Sequence, residues 1–489
     1  MIILLGLGPG DPALLTREAW SVLQRTQQLY LRTRRHPTVD ALPDHLTLHS
    51  FDATYDEAED FERVYRAIAD AVLAAAERDA EVVYAVPGHP LVGEATSSLI
   101  LAEARQRGIS VRVVAGVSFV ESTLQALAAH PDFATEALDP LRGLQVHDAL
   151  ELATAYHPPL NPDQPALIAQ VYSRLIASDV KLTLMNQYAP QHPVWVVRDQ
   201  QVERVPLHEL DHAERFDHLT TLYVPPTPQP SSFEALQAIV AHLRAPEGCP
   251  WDREQTHESL RATLLEEAYE VLSAIDAGDW QALKEELGDL LLNVVMQAQI
   301  ATESETFRMG DSIAHVIAKL KRRHPHVFGD VVARTADEVL SNWHAIKQRE
   351  RAQSGETSAL DGVPVALPAL AQAQMIIRRA KQLGFRWHAP EMHARKVREE
   401  LEEVARAADA AQRTEELGDL IFAIAGWAES FGVDLESAVR EANQKFARRF
   451  RALERLARER GLTLGALSLD ELLALWREAK AHAVINPLR

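Results

Sequence analysis

The string Glu285-Glu286-Leu287-Gly288-Asp289-Leu290 recurs letter for letter as Glu415-Glu416-Leu417-Gly418-Asp419-Leu420, and no other feature restricts the chain as much. Upstream, Glu266-Glu267-x-x-Glu270 is echoed by Glu399-Glu400-x-x-Glu403. Downstream, Lys319-Leu320-Lys321-Arg322-Arg323 is echoed by Lys445-Phe446-Ala447-Arg448-Arg449. The offsets are 130, 133 and 126 residues, in the same order along the chain. Three blocks at nearly constant spacing predict a duplicated helical domain. From Phe233 onward the sequence is rich in Glu and Ala, with apolar residues at helical period and little strand signal, so this half reads as all-helical.

On a helix, Glu266, Glu267 and Glu270 stand at about 0, 100 and 40 degrees and share one face. Glu286 and Asp289, three residues apart, share a face of the next helix. Antiparallel packing would bring up to five carboxylates together, which cannot all stay ionised without a cation. With Cys249 the sole cysteine, the ligands are hard oxygens, which select Mg²⁺ or Mn²⁺. Such ions bind triphosphates and activate water. Lys319 with Arg323, and Lys445 with Arg449, sit one helical turn apart and would supply phosphate contacts. A solvated acidic face is the bland alternative. It does not account for Gly-Asp among Leu287, Leu290, Leu291 and Leu292, nor for the same arrangement twice, because an Asp buried among leucines is expensive unless paired or bound to metal.

The two EExxE…ExxD sets have fifteen residues between Glu270 and Glu286 and twelve between Glu403 and Glu416. They resemble the MazG family of nucleoside triphosphate pyrophosphohydrolases. Cys249-Pro250-Trp251-Asp252 with Gln255-Thr256, the stretch Arg323 to Phe328, and Trp343-x-x-x-Lys347 are similar to that family too. The resemblance implies a helical homodimer that uses Mg²⁺ to cut between the α and β phosphates. Asn443-x-Lys445-Phe446-x-x-Arg449-Phe450 resembles a nucleotide-site motif of the family, whereas the first copy has Ile317 where the second has Asn443. The second copy is therefore expected to be catalytic, through Glu399, Glu400, Glu403, Glu416 and Asp419. The first keeps all five carboxylates: Glu266, Glu267, Glu270, Glu286 and Asp289.

Before the proline-rich joint Pro225 to Ser232, short β-rich runs alternate with amphipathic stretches, the grammar of an α/β domain. Expected strands are Ile2 to Leu5, Val82 to Val86, Val111 to Ala115 and Leu182 to Met185. A hairpin is expected over Val194 to Val205 and an edge strand over Thr220 to Val224. Expected helices are Leu14 to Gln27, Val92 to Arg107 and Val120 to Ala129. Glycine-bearing loops follow three strands: Gly6-Leu7-Gly8-Pro9-Gly10-Asp11, Pro87-Gly88-His89-Pro90 and Gly116-Val117-Ser118-Phe119. All three lie at strand C-termini, where α/β sheets bind ligands. The trio resembles the tetrapyrrole methylase superfamily, two-lobed enzymes that use S-adenosylmethionine. Arg32-Thr33-x-Arg35-His36-Pro37 is also similar to members fused to MazG domains. The resemblance implies a cofactor site of Gly8, Pro9, Val86, Gly88, His89, Thr96, Ser118, Phe119 and Met185, and a methyl acceptor it does not identify.

The expected order is a methylase-like α/β domain over 1–225, a linker over 226–232, helical domains over 233–353 and 369–489, and a second linker over 354–368. Lys and Arg number 50 against 70 Asp and Glu, a formal charge of -20 that disfavours general nucleic-acid binding. The apolar run Met1 to Leu5 is too short for a signal peptide or membrane span, so a cytoplasmic location without membrane attachment is expected. Two other readings fit the same residues. One is a methyltransferase dimerised by its helical half, and the other is a hydrolase regulated by a cofactor-sensing first domain.

Overall fold

The unbroken apolar run at the start of the chain becomes β1 (Ile2–Gly6), all five residues buried at the middle of a sheet. In this computed structural model every residue is described except 58–60, 134–142, 199, 214–215, 354–357, 387–388 and 486–489. The chain forms two compact units, Met1–Ser312 and Ile313–Arg489. The boundary falls inside the helix Met309–Arg323, so the expected first helical copy contributes to both.

The first sheet also contains β2 (Gln28–Leu31), β3 (Thr47–Ser50), β4 (Val82–Val86) and β5 (Val111–Val114). Its order is β3-β2-β4-β1-β5, all parallel, with Ile2 opposite Val82 on one side and Val111 on the other. A parallel sheet needs cover on both faces, and alternation supplies it. Ile2 and Leu4 pack with Ile68, Val72 and Ile100 from the helices Phe61–Arg78 and Ala95–Gln106. Ile3 and Leu5 pack with Val22 and Leu23 of the helix Arg17–Arg25.

The second sheet comprises β6 (Gln145–Asp148), β7 (Ala166–Ala169), β8 (Pro193–Arg198), β9 (Gln201–Pro206) and β10 (Thr220–Val224), in the order β6-β7-β10-β8-β9. Only the β6–β7 pair is parallel, and β8–β9 is the expected hairpin. Two expectations fail here. Thr220–Val224 is no edge strand: it lies between β7 and β8 with all five residues buried. Leu182 to Met185 is no strand either. Ser173 caps the helix Arg174–Leu184, and Ala177, Val180, Thr183 and Leu184 fall on its buried face, a helical period that the short apolar run at its end does not show by itself. The helix Phe119–Ala129, which leaves the first sheet, packs Ala126 and Leu127 against Leu167, Trp195 and Tyr223 of the second. It joins the two lobes through shared core.

Asp163 fixes the proline-rich joint. Its carboxylate accepts from the amides of Ser231 (2.7 Å) and Ser232 (3.1 Å) and from the hydroxyls of Ser232 (2.5 Å) and Thr227 (3.3 Å). Ser232 in turn caps the helix Phe233–Arg244 by accepting from Ala235 N at 3.0 Å.

Each copy then forms a helical hairpin. Arg261–Ala277 ends at Gly278 in the left-handed conformation (φ 65), and Asp279 caps Trp280–Glu303. Pro390–Arg406 is followed by Asp409, which caps Ala410–Ser430 by accepting from Gln412 N at 2.9 Å. In the second unit Leu435–Glu459 packs on Leu469–Ile485 through Ala452, Leu453, Leu475 and Ala479. Among the described residues no helix is long and apolar enough to cross a membrane.

Candidate functional site

A cavity of about 380 Å³ lies between the lobes of the first unit, at the C-terminal ends of the first sheet. The loops after β1, β4 and β5 meet there backbone to backbone. Gly8 and Gly88 exchange hydrogen bonds of 3.2 and 2.7 Å. A Cβ on Gly6 would lie 2.5 Å from the Gly88 carbonyl oxygen, and one on Gly116 only 2.2 Å from it. Only glycine permits that approach.

Of the expected cofactor residues, Pro9, Gly88 and Phe119 line the cavity. Val86 ends β4, fully buried. His89 accepts from Leu91 N at 3.0 Å through Nδ1, bracing its own turn. Thr96 is buried in the first turn of Ala95–Gln106, its amide donating to Glu94. Ser118 caps Phe119–Ala129 in a reciprocal box with Glu121. Met185, placed by the helix end instead of a strand, is not among the cavity-lining residues.

The opposite side of the cavity comes from the loop after β2, which carries the Arg32-to-Pro37 motif. Arg32 is ion-paired with Glu94, donates to the Tyr55 hydroxyl at 2.8 Å and lies 5.4 Å from the Tyr65 ring centre. Burial acts to lower its pKa, but Glu94 and Tyr55 outweigh burial and raise it. Asp52 accepts from the Thr33 hydroxyl at 2.5 Å and from Arg34 N at 2.9 Å. Burial acts upward on its carboxyl, yet these bonds hold it below the usual range. His36 is buried, and neither ring nitrogen makes a hydrogen bond of good geometry. Burial first, then His218, holds its pKa down to about 4, so the ring is neutral. Gln170 lines the cavity from the second lobe with φ 65, strained for a residue with a side chain, and its Nε2 donates to Asp148 at 2.8 Å. Sequence reasoning missed Glu94, Tyr55, Asp52, Gln170 and His218, and the Arg32-to-Pro37 motif was the one signal for this side.

In the helical half, carboxylates converge. In the first copy Glu267, Glu270 and Glu286 bring ligand atoms within 4.8 Å of one another. Glu266 and Asp289 stand outside that group but act on it: partial burial, then Asp289 and the neighbouring glutamates, raises the pKa of Glu267. Glu286 is raised by the same causes, with Glu270 the leading neighbour. The second copy holds two such groups, Glu399–Glu400–Glu403 and Glu400–Glu416–Asp419, sharing Glu400. Glu400 is only 4% exposed, and its Oε2 has no hydrogen-bond donor. Partial burial, then Glu400 and Glu416, raises Glu403.

The premise of an Asp buried among leucines does not hold in a single chain. Asp289 and Asp419 are exposed, as are Leu287 and Leu291 in the first unit and Leu417 and Ile421 in the second. Asn443 and Lys445 are exposed on Leu435–Glu459, with Arg449 half-buried a turn on. Lys319 is half-buried. Arg323 is committed elsewhere, donating Nε (3.0 Å) and Nη2 (2.6 Å) to Glu350 over the ring of Trp343.

A two-lobed α/β fold with a ligand cleft, followed by duplicated carboxylate-bearing hairpins, defines a fusion of two enzyme classes. Family models match in that order: Tetrapyrrole (Corrin/Porphyrin) Methylases over residues 1–211, the MazG nucleotide pyrophosphohydrolase domain over 255–328, and Phosphoribosyl-ATP pyrophosphohydrolase over 380–446. The uncharacterized protein YabN of Bacillus subtilis is 38% identical over 511 residues, covering 98% of each chain. The nucleoside triphosphate pyrophosphohydrolase of Escherichia coli K12 is 44% identical over 260 residues, 52% of this chain and 99% of its own. A uroporphyrin-III C-methyltransferase from Thermus thermophilus, complexed with S-adenosyl homocysteine, aligns with 46% of this chain and 96% of its own at 18% identity and TM-score 0.34. The chain belongs to the family that joins a tetrapyrrole methylase domain to MazG-type pyrophosphohydrolase domains, the family of YabN.

Proposed function

We propose that the chain hydrolyses nucleoside triphosphates to a monophosphate and pyrophosphate with divalent ions, Mg²⁺ or Mn²⁺, bound by its helical half. The observation that carries this reading is the convergence of Glu400, Glu416 and Asp419 within 4.8 Å, with a buried Glu400 oxygen lacking any donor. An all-oxygen donor set fits a hard cation. When bound, the ion polarises phosphoryl oxygens and lowers the pKa of the attacking water. Glu399, Glu400, Glu403, Glu416 and Asp419 form the catalytic set. Glu266, Glu267, Glu270, Glu286 and Asp289 form a second metal-binding set. Asn443, Lys445 and Arg449 are assigned to the nucleotide in the second copy, and Lys319 in the first, where Glu350 already holds the expected Arg323. Identity with the Escherichia coli pyrophosphohydrolase along nearly all of that enzyme supports the assignment.

The first unit is assigned S-adenosylmethionine, in the cavity bordered by Pro9, Gly88 and Phe119, beside a methyl acceptor. The exposed apolar residues of each hairpin, Leu287 and Leu291 in one and Leu417 and Ile421 in the other, support a homodimer through the helices, and a cytoplasmic location fits this chemistry. The test is a panel of ordinary, deoxy and damaged nucleoside triphosphates incubated with the chain and Mg²⁺, with products resolved by chromatography. Monophosphate plus pyrophosphate, lost on chelation, is expected. Intact triphosphates across the panel refute the hydrolase. Calorimetric titration with S-adenosylmethionine tests the first unit separately.

A further inference from the structure

Two groups that face the cleft between the lobes of the first unit keep hydrogen-bonding capacity that the fold does not use. His36 is only 3% exposed and lines the cavity, yet neither ring nitrogen makes a hydrogen bond of good geometry. Buried polar groups are ordinarily partnered, so an orphaned imidazole in a cavity wall points to a ligand. Gln170 reaches the same cavity from the second lobe. Its backbone holds φ 65, strain of the kind that gathers at ligand sites. Asp148 uses one oxygen for Leu150 N and the other for Gln170 Nε2, each at 2.8 Å, so the amide is oriented and Oε1 is the end left over. No described residue donates to that oxygen.

We propose that His36 and Gln170 form the methyl-acceptor subsite, and that it takes an uncharged conjugated amino group, as on a primary amide, a urea or an aminoheteroarene. This rests on the S-adenosylmethionine reading of the cavity and names the acceptor class within it. The neutral imidazole offers a lone pair and the amide oxygen offers another, two acceptors that match the two N–H bonds of a planar amino group. The group is uncharged because nothing in the cavity is spare to balance an ammonium. Among the described lining residues the one carboxylate is Asp52, which already accepts from the Thr33 hydroxyl and Arg34 N and has the Arg35 charge close by. Glu94, behind the wall, is paired with Arg32. A planar amino group held by its two hydrogens keeps the faces of its nitrogen open, the approach that methyl transfer needs. The cofactor's own adenine carries an amino group of the same kind, so the test has to separate the two occupants.

The experiment titrates benzamide, phenylurea and cytosine into the full-length protein saturated with S-adenosylhomocysteine, followed by calorimetry, with N,N-dimethylbenzamide and benzylamine as controls. The three amino probes are expected to bind and the two controls are not. His36→Phe and Gln170→Leu each weaken probe binding about tenfold or more while affinity for S-adenosylhomocysteine stays within about twofold of the parent. Gln170→Asn tolerates the positive φ but is one methylene short, so it loses probe binding in the same way without a folding defect. Probes that bind the variants as well as the parent, or no binding by any amino probe, overturn the subsite and leave S-adenosylmethionine binding standing. Benzylamine binding on a par with benzamide overturns the uncharged class. A fall in S-adenosylhomocysteine affinity that matches the fall for the probes gives both groups to the cofactor's adenine and overturns the acceptor subsite. Native protein that binds no S-adenosylhomocysteine overturns both readings together.

Discussion

Replacing Glu94 by Gln tests the buried ion pair behind the cleft. The Glu94 side chain is 1% exposed and that of Arg32 17%, so the pair is shielded from solvent. Gln keeps the shape and an oxygen for the Thr96 amide, which donates to Glu94 at 3.1 Å, so the cap on Ala95–Gln106 survives and only the charge is lost. Stranding one member of a buried pair costs about 3–5 kcal/mol. The Tyr55 hydroxyl and Tyr65 ring remain on the guanidinium, which places the expectation at the lower end, about 3 kcal/mol. Glu94→Ala loses the cap as well, about 1 kcal/mol more. Adding Arg32→Met to Glu94→Gln removes the stranded charge and recovers much of the loss, closing a double-mutant cycle. The assay is native-state amide exchange of peptides spanning 82–106, where 3 kcal/mol appears as about 100-fold faster exchange or more. Exchange within about twofold of the parent in Glu94→Gln would refute the reasoning, because it would mean that the guanidinium does not need this carboxylate.

Glu400→Gln or Asp419→Asn lowers triphosphate hydrolysis by about 100-fold or more with far-ultraviolet circular dichroism unchanged. Full activity in both variants moves catalysis to the first copy, where Glu267→Gln and Asp289→Asn are the next test. His36, depressed to about 4, binds a proton less readily folded than unfolded, so stability falls as pH drops from about 6.5 towards 4, by up to about 3 kcal/mol. His36→Phe flattens that part of the urea-midpoint profile, and an identical acid slope in both proteins counts against a buried neutral ring. Asp163→Ala frees the proline-rich joint, and limited proteolysis should then cut between 225 and 232 several-fold faster. Burial acts upward on the Asp163 carboxyl, but the hydrogen bonds from Ser232, Ser231 and Thr227 bring it below its usual range. Protection in the parent is therefore complete above about pH 4 and lost only as pH falls through the lower folded value. A joint equally protected in Asp163→Ala assigns the order to something else.

What could be read from the chain beforehand was what local spacing dictates. Glu266, Glu267 and Glu270 share a face by helical geometry alone, and the hairpin turns at Gly278-Asp279 and Asp409 deliver the partner helix with Glu286 or Glu416. The glycine loops were equally local. The Arg32–Glu94 pair spans 62 residues, and Asp148 meets Gln170 across 22, so neither leaves a spacing signal. The strands β2, β3, β6 and β7 are only four residues each, too short for alternation to declare itself. Leu182 to Met185 misled because a four-residue apolar run is too short to show its period, whereas the helix it ends is set by Ser173, nine residues earlier. The central place of β10 depends on pairing with β7 and β8, which no property of Thr220 to Val224 by itself encodes.

The meeting of Gly6, Gly88 and Gly116 divides evolutionary freedom unequally across the cleft. Gly6 and Gly116 have no room for a Cβ, and Gly88 holds φ 66, a conformation that side-chain-bearing residues rarely adopt, so substitution there is costly at all three. The Arg32-to-His36 loop and the His218–Thr221 segment face the same space with side chains, and these can be exchanged without parting the junction. Such a site can be retooled for a new acceptor from its rim inward, with the glycine bed beneath it left in place.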